Sequence, residues 1–273
     1  MTTQSRQGDL FCALHCRDRA FVIPNPWDVG SARLLAQLGF EALATTSAGF
    51  AFAAGRRDGS MGLASVLAHA GRIVTATPLP VSADLENGFG DAPAIVADTI
   101  TRAAAVGLVG GSIEDASGRS DDPIYELGLA TERLQAAVEA ARALPFRFTL
   151  TARAENYLHG RADLADTIRR LQAYQEAGAD VLYAPGLARR EDIVAVVSSV
   201  DRPVNVLVGS PGMRLTLDEL SLIGVKRVSV GSALARAAYG ALLRAAFEMR
   251  DLGTFSSLDG APPFRTLNDM FNP

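Results

Sequence analysis

Three acidic residues, Asp84, Glu86 and Glu114, close two short runs of small and branched residues, Val81-Ser82-Ala83 and Gly111-Ser112-Ile113. If those runs are neighbouring strands, the three carboxylates converge. Like charges a few ångströms apart repel, and a cation is the natural remedy. Oxygen donors with no His or Cys nearby point to Mg²⁺ or Mn²⁺, and a Mg²⁺ ion that keeps its waters needs only one direct carboxylate. The competing reading is that the acids pair with arginines or cap helices. Arg153 ends another such run, after Phe148-Thr149-Leu150-Thr151, where it is placed to grip a carboxylate in a bidentate fork. It could equally partner Glu155 or one of the metal-site acids, and the roles are compatible. Ser47-Ala48-Gly49 offers small residues and backbone N–H groups at a further run end, suited to a carboxylate or enolate oxygen, or simply to a tight turn. Asp58 lies in the loop beyond it. Asp28, Asp115, Asn205 and Ser232 complete the polar residues at run ends.

These residues need a scaffold that brings run ends together. Apolar runs at 21–24, 42–46, 79–83, 111–113, 147–152, 181–183, 204–208 and 227–230 alternate with helical patterns. The helices are expected at 31–38, 63–75, 93–107, 130–143, 163–177, 191–198, 217–222 and 233–251, with a Gly- and Arg-containing loop over 49–58. Alternation of this kind predicts a parallel sheet, and eight repeats predict a (β/α)₈ TIM barrel, whose active site lies at the C-terminal strand ends. The first strand leads into Asn25-Pro26-Trp27-Asp28 rather than a glycine fingerprint, which excludes a dinucleotide fold. The seventh leads into Gly209-Ser210-Pro211-Gly212. The chain reads as one domain over 1–273, with a polar, proline-containing tail at 252–273 that either packs on a neighbouring subunit or is a loose terminus.

Length and charge narrow the function. A chain of 273 residues suits one barrel, which takes about 250. Net charge is −4 with no basic stripe, which argues against nucleic acid as a partner. No apolar run approaches the roughly 20 residues of a membrane span, and the polar start lacks a signal-peptide core, so a cytoplasmic protein is expected. Cys12 and Cys16 have no second pair downstream and read as structural thiols. Of the three histidines, His15 and His69 belong to helices, and His159 reads as a loop residue after the fifth strand. No Ser-His-Asp arrangement is present.

The segments Ser82-Ala83-Asp84-Leu85-Glu86-Asn87-Gly88-Phe89-Gly90, Ser112-Ile113-Glu114-Asp115 and Thr151-Ala152-Arg153-Ala154-Glu155, with Thr46-Ser47-Ala48-Gly49 and Asp58 in order before them, resemble the isocitrate lyase/phosphoenolpyruvate mutase superfamily. The resemblance runs from Asn25 to Ser232. It implies a barrel whose last helix is swapped between subunits of a homo-oligomer, a dimer or a tetramer. It implies Mg²⁺ held directly by Asp84 and through water by Glu86 and Glu114. Thr46, Ser47, Ala48, Gly49, Arg153 and Asn205 would bind a small α-keto acid or its enolate, with Ser47, Arg153 and Asp58 at the reacting group.

The departures are as informative. The carbon–carbon lyases carry Lys-Lys-Cys-Gly-His after the fourth strand, and the phosphonomutases carry lysine and asparagine there. This chain has Ala116-Ser117-Gly118-Arg119-Ser120-Asp121-Asp122-Pro123, where Arg119 is the one substitute cation. Pro185 stands where relatives place His or Glu, and Glu86 where Asp is usual. The expectation is a Mg²⁺-dependent enzyme acting on an oxaloacetate-like keto acid by decarboxylation or hydrolysis through an enolate. The alternatives are mutase-like P–C chemistry and a barrel that binds a keto acid without turning it over.

Overall fold

The protein is described by a computed structural model covering residues 3–209 and 212–272; Ser210 and Pro211 of the seventh strand's loop lie outside them. Eight short strands form one sheet: β1 (Phe21–Ile23), β2 (Leu43–Ala44), β3 (Val81–Asp84), β4 (Gly110–Glu114), β5 (Thr149–Arg153), β6 (Val181–Tyr183), β7 (Val204–Leu207) and β8 (Arg227–Ser229). Helix α1 (Thr3–His15) precedes them. Helices α2 (Val29–Gln37), α3 (Ser47–Ala53), α4 (Leu63–Ala76), α5 (Pro93–Ala105), α6 (Leu127–Arg142), α7 (Leu164–Glu176), α8 (Arg190–Ser198), α9 (Leu217–Ile223) and α10 (Ala233–Leu252) lie between and after the strands, and α11 (Phe264–Met270) forms in the tail.

Every pairing is parallel, and the order runs β1-β8-β7-β6-β5-β4-β3-β2. The seam between β1 and β2 is stitched rather than laddered. The Ala44 N–H donates to the Pro24 carbonyl at 3.2 Å, and the Asn25 side chain donates to the Thr45 carbonyl at 3.1 Å while accepting from the Val230 and Gly231 N–H groups at 2.9 Å. One buried amide thus ties the ends of β1, β2 and β8, and the sheet is the expected (β/α)₈ barrel.

Three local features differ from the sequence reading. Residues 47–53 are helix α3 rather than loop, because the Thr46 hydroxyl caps the Gly49 N–H and the following Ala and Phe residues favour continuation. The tail carries α11 instead of remaining irregular. Strands β3 and β5 begin two residues late, after Pro80 and after Phe148, and end on Asp84 and Arg153. The chemistry-bearing residues are therefore the last strand positions, whose backbone is fixed by the ladder.

Helix α1 closes the opposite end. Phe11 and Leu14 pack with Phe21, Ile23, Ala42 and Val109 beneath the strands. His15 is buried there, edge-on to Phe11 and Phe21 with ring centroids 4.9 and 5.0 Å away, and burial pushes its pKa down to about 3, so it is a neutral core residue. At the other extreme, α10 buries only Ala235 and Ala245, leaving Leu242, Leu243, Phe247 and Leu252 exposed. No described helix is long and apolar enough to cross a membrane.

The Asn25 stitch yields a stability prediction. Replacing Asn25 with Ala strands two N–H groups and one carbonyl at the seam, at about 1–3 kcal/mol for each buried group left unpaired. Urea unfolding of Asn25→Ala should show a loss of about 3 kcal/mol or more with an unchanged m-value. A loss below about 0.5 kcal/mol would mean the seam does not depend on this amide.

Candidate active site

The sheet register sets the site. Glu114 pairs with Arg153 across β4 and β5, and Arg153 with Tyr183 across β5 and β6, while Asp84 ends β3 opposite Ser112. The Arg153 guanidinium bonds Asp84 Oδ1 at 2.8 Å, Glu114 Oε2 at 3.0 Å and Glu155 Oε1 at 2.9 Å. It also lies 5.3 Å from the Tyr183 ring centre. The structural reading of Arg153 holds: it is the partner of Glu155 and of two expected metal-site acids.

One guanidinium cannot neutralise this many acids. Burial, more than any neighbour, pushes the Glu114 carboxyl well above the ordinary carboxylate range, and it raises Glu155 too, with Arg153 opposing both shifts. Glu86 is raised to about 7, first by burial and then by the Asp84 and Asp58 charges. Its Oε1 is buried with no hydrogen-bond partner among the described residues. Glu86 also sits in a left-handed backbone conformation at φ 48°, uncommon for a residue with a side chain. The turn that imposes it is held from outside: the Arg133 side chain on α6 donates to the carbonyls of Asn87, Gly90 and Asp91.

A hard divalent cation fits this chemistry in one form. The donors are all oxygens, acids exceed cations, and one buried Glu86 oxygen lacks a partner. Asp84, by contrast, already accepts from Arg153, the Ser47 N–H at 3.2 Å and the Glu86 N–H at 3.2 Å. Among the described residues no three acidic, His or Cys side chains are gathered as a ready ligand cluster. The fit is to an ion that keeps several waters, as Mg²⁺ does, rather than to an all-protein cage.

Two cavities share Ser47, Arg153 and Leu158 in their walls. The inner one, about 190 Å³, reaches into the barrel past Thr46, Ala48, Asp84, Asn205 and Ser232. The outer one, about 430 Å³, is bounded by Asp58, Glu86, Glu114, Glu155 and His159. Ser47 begins α3, and Gly49 is tucked behind it against Thr46. Asp58 is exposed at the rim. The Asn205 amide faces the inner cavity deeper down, donating to Ser229 Oγ at 2.9 Å and accepting from Arg227 Nε at 2.9 Å.

Other residues fall differently from their sequence reading. Asp28 caps α2 in a reciprocal box with Ser31 and does no chemistry. Asp115 is buried as a brace, accepting from the Glu155 N–H, the Tyr174 hydroxyl and Arg170. Arg119 is no substitute cation for the cavity, because Asp91 and Asp122 hold its guanidinium at 3.2 Å each on the outside of the loop. His159, read as a loop residue, lines the outer cavity. Tyr183, expected with Asn205 to set the pocket's size, lines the inner cavity, and so does Arg227, which a strand position alone does not mark as facing inward in a barrel.

A parallel barrel with an acid-rich, arginine-centred mouth at its C-terminal strand ends has the form of a (β/α)₈ enzyme. The phosphoenolpyruvate phosphomutase family model matches residues 11–250, and the chain belongs to that family, within the isocitrate lyase/phosphoenolpyruvate mutase superfamily. A protein of Burkholderia cenocepacia J2315, classed only broadly as a lyase or mutase, superposes with a TM-score of 0.98 at 61% identity, covering 99% of this chain and 98% of its own. The oxaloacetate decarboxylase of Chromohalobacter salexigens is 30% identical over 267 residues, 92% of this chain and 89% of that protein. Oxaloacetate acetylhydrolase, solved with its product oxalate, superposes with a TM-score of 0.85 at 27% identity, covering 97% and 93% of the two chains.

The raised Glu86 carboxyl gives a prediction with a definite sign. Its folded pKa of about 7 stands above the ordinary glutamate value of about 4.5, so protonation stabilises the fold. That stability is complete below about pH 4.5 and is lost as pH rises through about 7. In buffer containing EDTA, wild type should lose about 1–2 kcal/mol relative to Glu86→Gln across this window, the figure being reduced for partial solvent screening. Parallel pH profiles of denaturation midpoint for the two proteins would show that Glu86 is not held protonated by its site.

Proposed function

We propose that the protein is a Mg²⁺-dependent enzyme acting on a small α-keto diacid of the oxaloacetate type, breaking a C–C bond by decarboxylation or hydrolysis through an enolate. The observation that carries this reading is the charge arrangement at the ends of β3, β4 and β5. Arg153 is outnumbered by acids there, and an unpartnered Glu86 oxygen lies beside it. The same chemistry occurs in two relatives, one named as decarboxylating oxaloacetate and the other as hydrolysing it.

In this reading Asp84, Glu86 and Glu114 hold the ion. When bound, Mg²⁺ supplies Lewis acidity for the oxyanion that develops on the keto oxygen. Arg153, Ser47 and the small residues Thr46, Ala48 and Gly49 orient the keto-carboxylate end of the substrate in the inner cavity, with Asn205 on its wall. In decarboxylation the C3–C4 bond breaks, carbon dioxide leaves, and the bonding pair passes to the enolate. In hydrolysis Asp58 at the rim orients the water that adds to C2; the C2–C3 bond then breaks, oxalate remains, and the bonding pair leaves as the enolate of acetate, which takes up the water's proton. The 116–123 loop presents no lysine or cysteine, and its one arginine is tied outward. That favours these two routes over acid-assisted lyase chemistry or phosphonyl transfer.

Turnover of oxaloacetate with and without Mg²⁺, beside phosphonopyruvate and 2-methylisocitrate, tests the proposal. Wild type should release pyruvate, or oxalate and acetate, only with Mg²⁺, and Asp84→Ala should lose about two orders of magnitude or more. Mg²⁺ should also raise the denaturation midpoint of wild type and not of Asp84→Ala. Turnover of phosphonopyruvate alone would replace C–C with P–C chemistry, and Mg²⁺ binding without turnover of any of the three would favour a keto-acid-binding barrel.

The working unit in this proposal is a homo-oligomer, dimer or tetramer, formed through α10. The exposed Leu242, Leu243 and Phe247 on that helix support it, since contiguous apolar surface of this kind marks an interface. The double substitution Leu243→Asp, Phe247→Glu should reduce the mass measured by light scattering to that of one chain, 28.7 kDa for the unmodified sequence. An unchanged assembly would remove α10 from the interface.

A further inference from the structure

The outer cavity is acidic almost throughout. Asp58, Glu86, Glu114 and Glu155 face it, and the Arg153 guanidinium that reaches its wall already serves three carboxylates. A dicarboxylate whose keto-carboxylate end lies in the inner cavity must put its second carboxylate into this outer space. Even with Mg²⁺ held by Asp84, Glu86 and Glu114, that end would face Asp58 and Glu155 without a positive partner of its own. His159 is the one remaining side chain on the described wall able to carry positive charge. The nearby alternatives do not serve, since Arg119 is bound to Asp91 and Asp122, and Arg161 is exposed and outside the wall.

The position of His159 is built rather than accidental. It ends a 3-10 turn, Asn156–His159, that leaves β5 directly after Arg153-Ala154-Glu155. The Leu158 N–H donates to the Glu155 carbonyl, and the Arg161 N–H to the Asn156 carbonyl at 2.9 Å. Gly160 closes the turn at φ 72°, a conformation glycine adopts without steric cost. Asn156 is buried and donates to Asp166 at 2.7 Å, which Arg170 holds at 2.8 Å. On the far side, a Cβ at Gly186 would come within 2.8 Å of Tyr157 Cβ, so the loop after β6 is pressed against the turn. The turn is thus clamped from two sides, while the imidazole itself makes no hydrogen bond or ion pair among the described residues.

The structure assigns to His159 the recognition of the distal carboxylate of a keto diacid, making it the residue that selects a dicarboxylate over a monocarboxylate keto acid. This rests on the keto-acid reading above and adds the substrate's second charged end to it. The role is positioning and specificity. The bond-breaking steps stay with the residues already named.

The test measures binding, which needs no turnover. Two probes are titrated calorimetrically in the presence of Mg²⁺: oxalate, which fills the keto-acid seat alone, and 3,3-difluorooxaloacetate, an inhibitor of the acetylhydrolase that adds a distal carboxylate. His159→Gln should weaken difluorooxaloacetate about tenfold, the scale of one charge-assisted contact, and leave oxalate within about twofold. His159→Lys should restore most of the loss, which a merely structural role for the imidazole would not allow. The inference is overturned if His159→Gln binds difluorooxaloacetate as wild type does, if both probes weaken equally, or if lysine restores nothing. If wild type binds neither probe, the keto-acid reading itself fails. Binding of both probes with an indifferent His159→Gln sinks only the assignment of His159.

Discussion

The mouth of this barrel is organised by one guanidinium. Arg153 is the last residue of β5, and its three ion pairs reach back to β3 through Asp84, sideways to β4 through Glu114, and onward to its own loop through Glu155. Half-exposed ion pairs contribute little to stability, but Arg153 and its partners are largely removed from water. Breaking such a pair leaves a buried charge without compensation, which is far more costly than never having formed it. The arginine therefore fixes the directions of the acids more than it adds stability, and those directions decide where a cation and a substrate oxygen can lie.

The support behind Arg153 follows the same logic at greater depth. Glu155 takes its place because its N–H is held by Asp115, and Asp115 is held by Tyr174 and Arg170 from α7. Burial raises the Asp115 carboxyl, and its hydrogen bonds pull in the opposite direction. On the β3 side, Arg133 collects three carbonyls of the turn that carries Glu86, with its guanidinium 4.2 Å from the Tyr125 ring centre. Both supports come from helices outside the sheet, so the α-layer positions the mouth as well as covering the strands.

This explains what could be read from the sequence. The eight repeats, their parallel order and the gathering of Asp84, Glu86, Glu114, Arg153, Ser47 and Asp58 around one mouth follow from alternating patterns and from the rule that barrel sites lie at strand ends. The braces were not legible, because Arg133 and Arg170 read as ordinary helix arginines until packing shows carbonyls and carboxylates beside them. Asp28 was misleading for the opposite reason: a run-end acid and a helix cap look alike before the helix start is placed. Helix α3 escaped notice because its seven residues are too few to show a period, and its start depends on one hydroxyl, that of Thr46.

The interior below the mouth carries charge of the opposite sign. Arg227 at the base of β8 is buried, and it bonds Asn205 at 2.9 Å, Thr151 at 3.0 Å and His15 at 3.5 Å, with no carboxylate partner among the described residues. Burial lowers its pKa to about 10, with the Arg153 charge adding to the shift, yet that leaves it a cation at neutral pH. His15 cannot share that charge, since its own burial keeps it neutral. The barrel is therefore layered, with an acid-rich rim above, a positive base below and neutral hydroxyls and amides between. Coulomb interactions reach through such a weakly screened interior better than through water. A lone buried arginine is costly in isolation, but beneath an excess of carboxylates it offsets part of their repulsion. In the proposed function, with a cation masking the rim acids, the same field would draw the anionic end of a substrate toward Arg153 and the inner cavity.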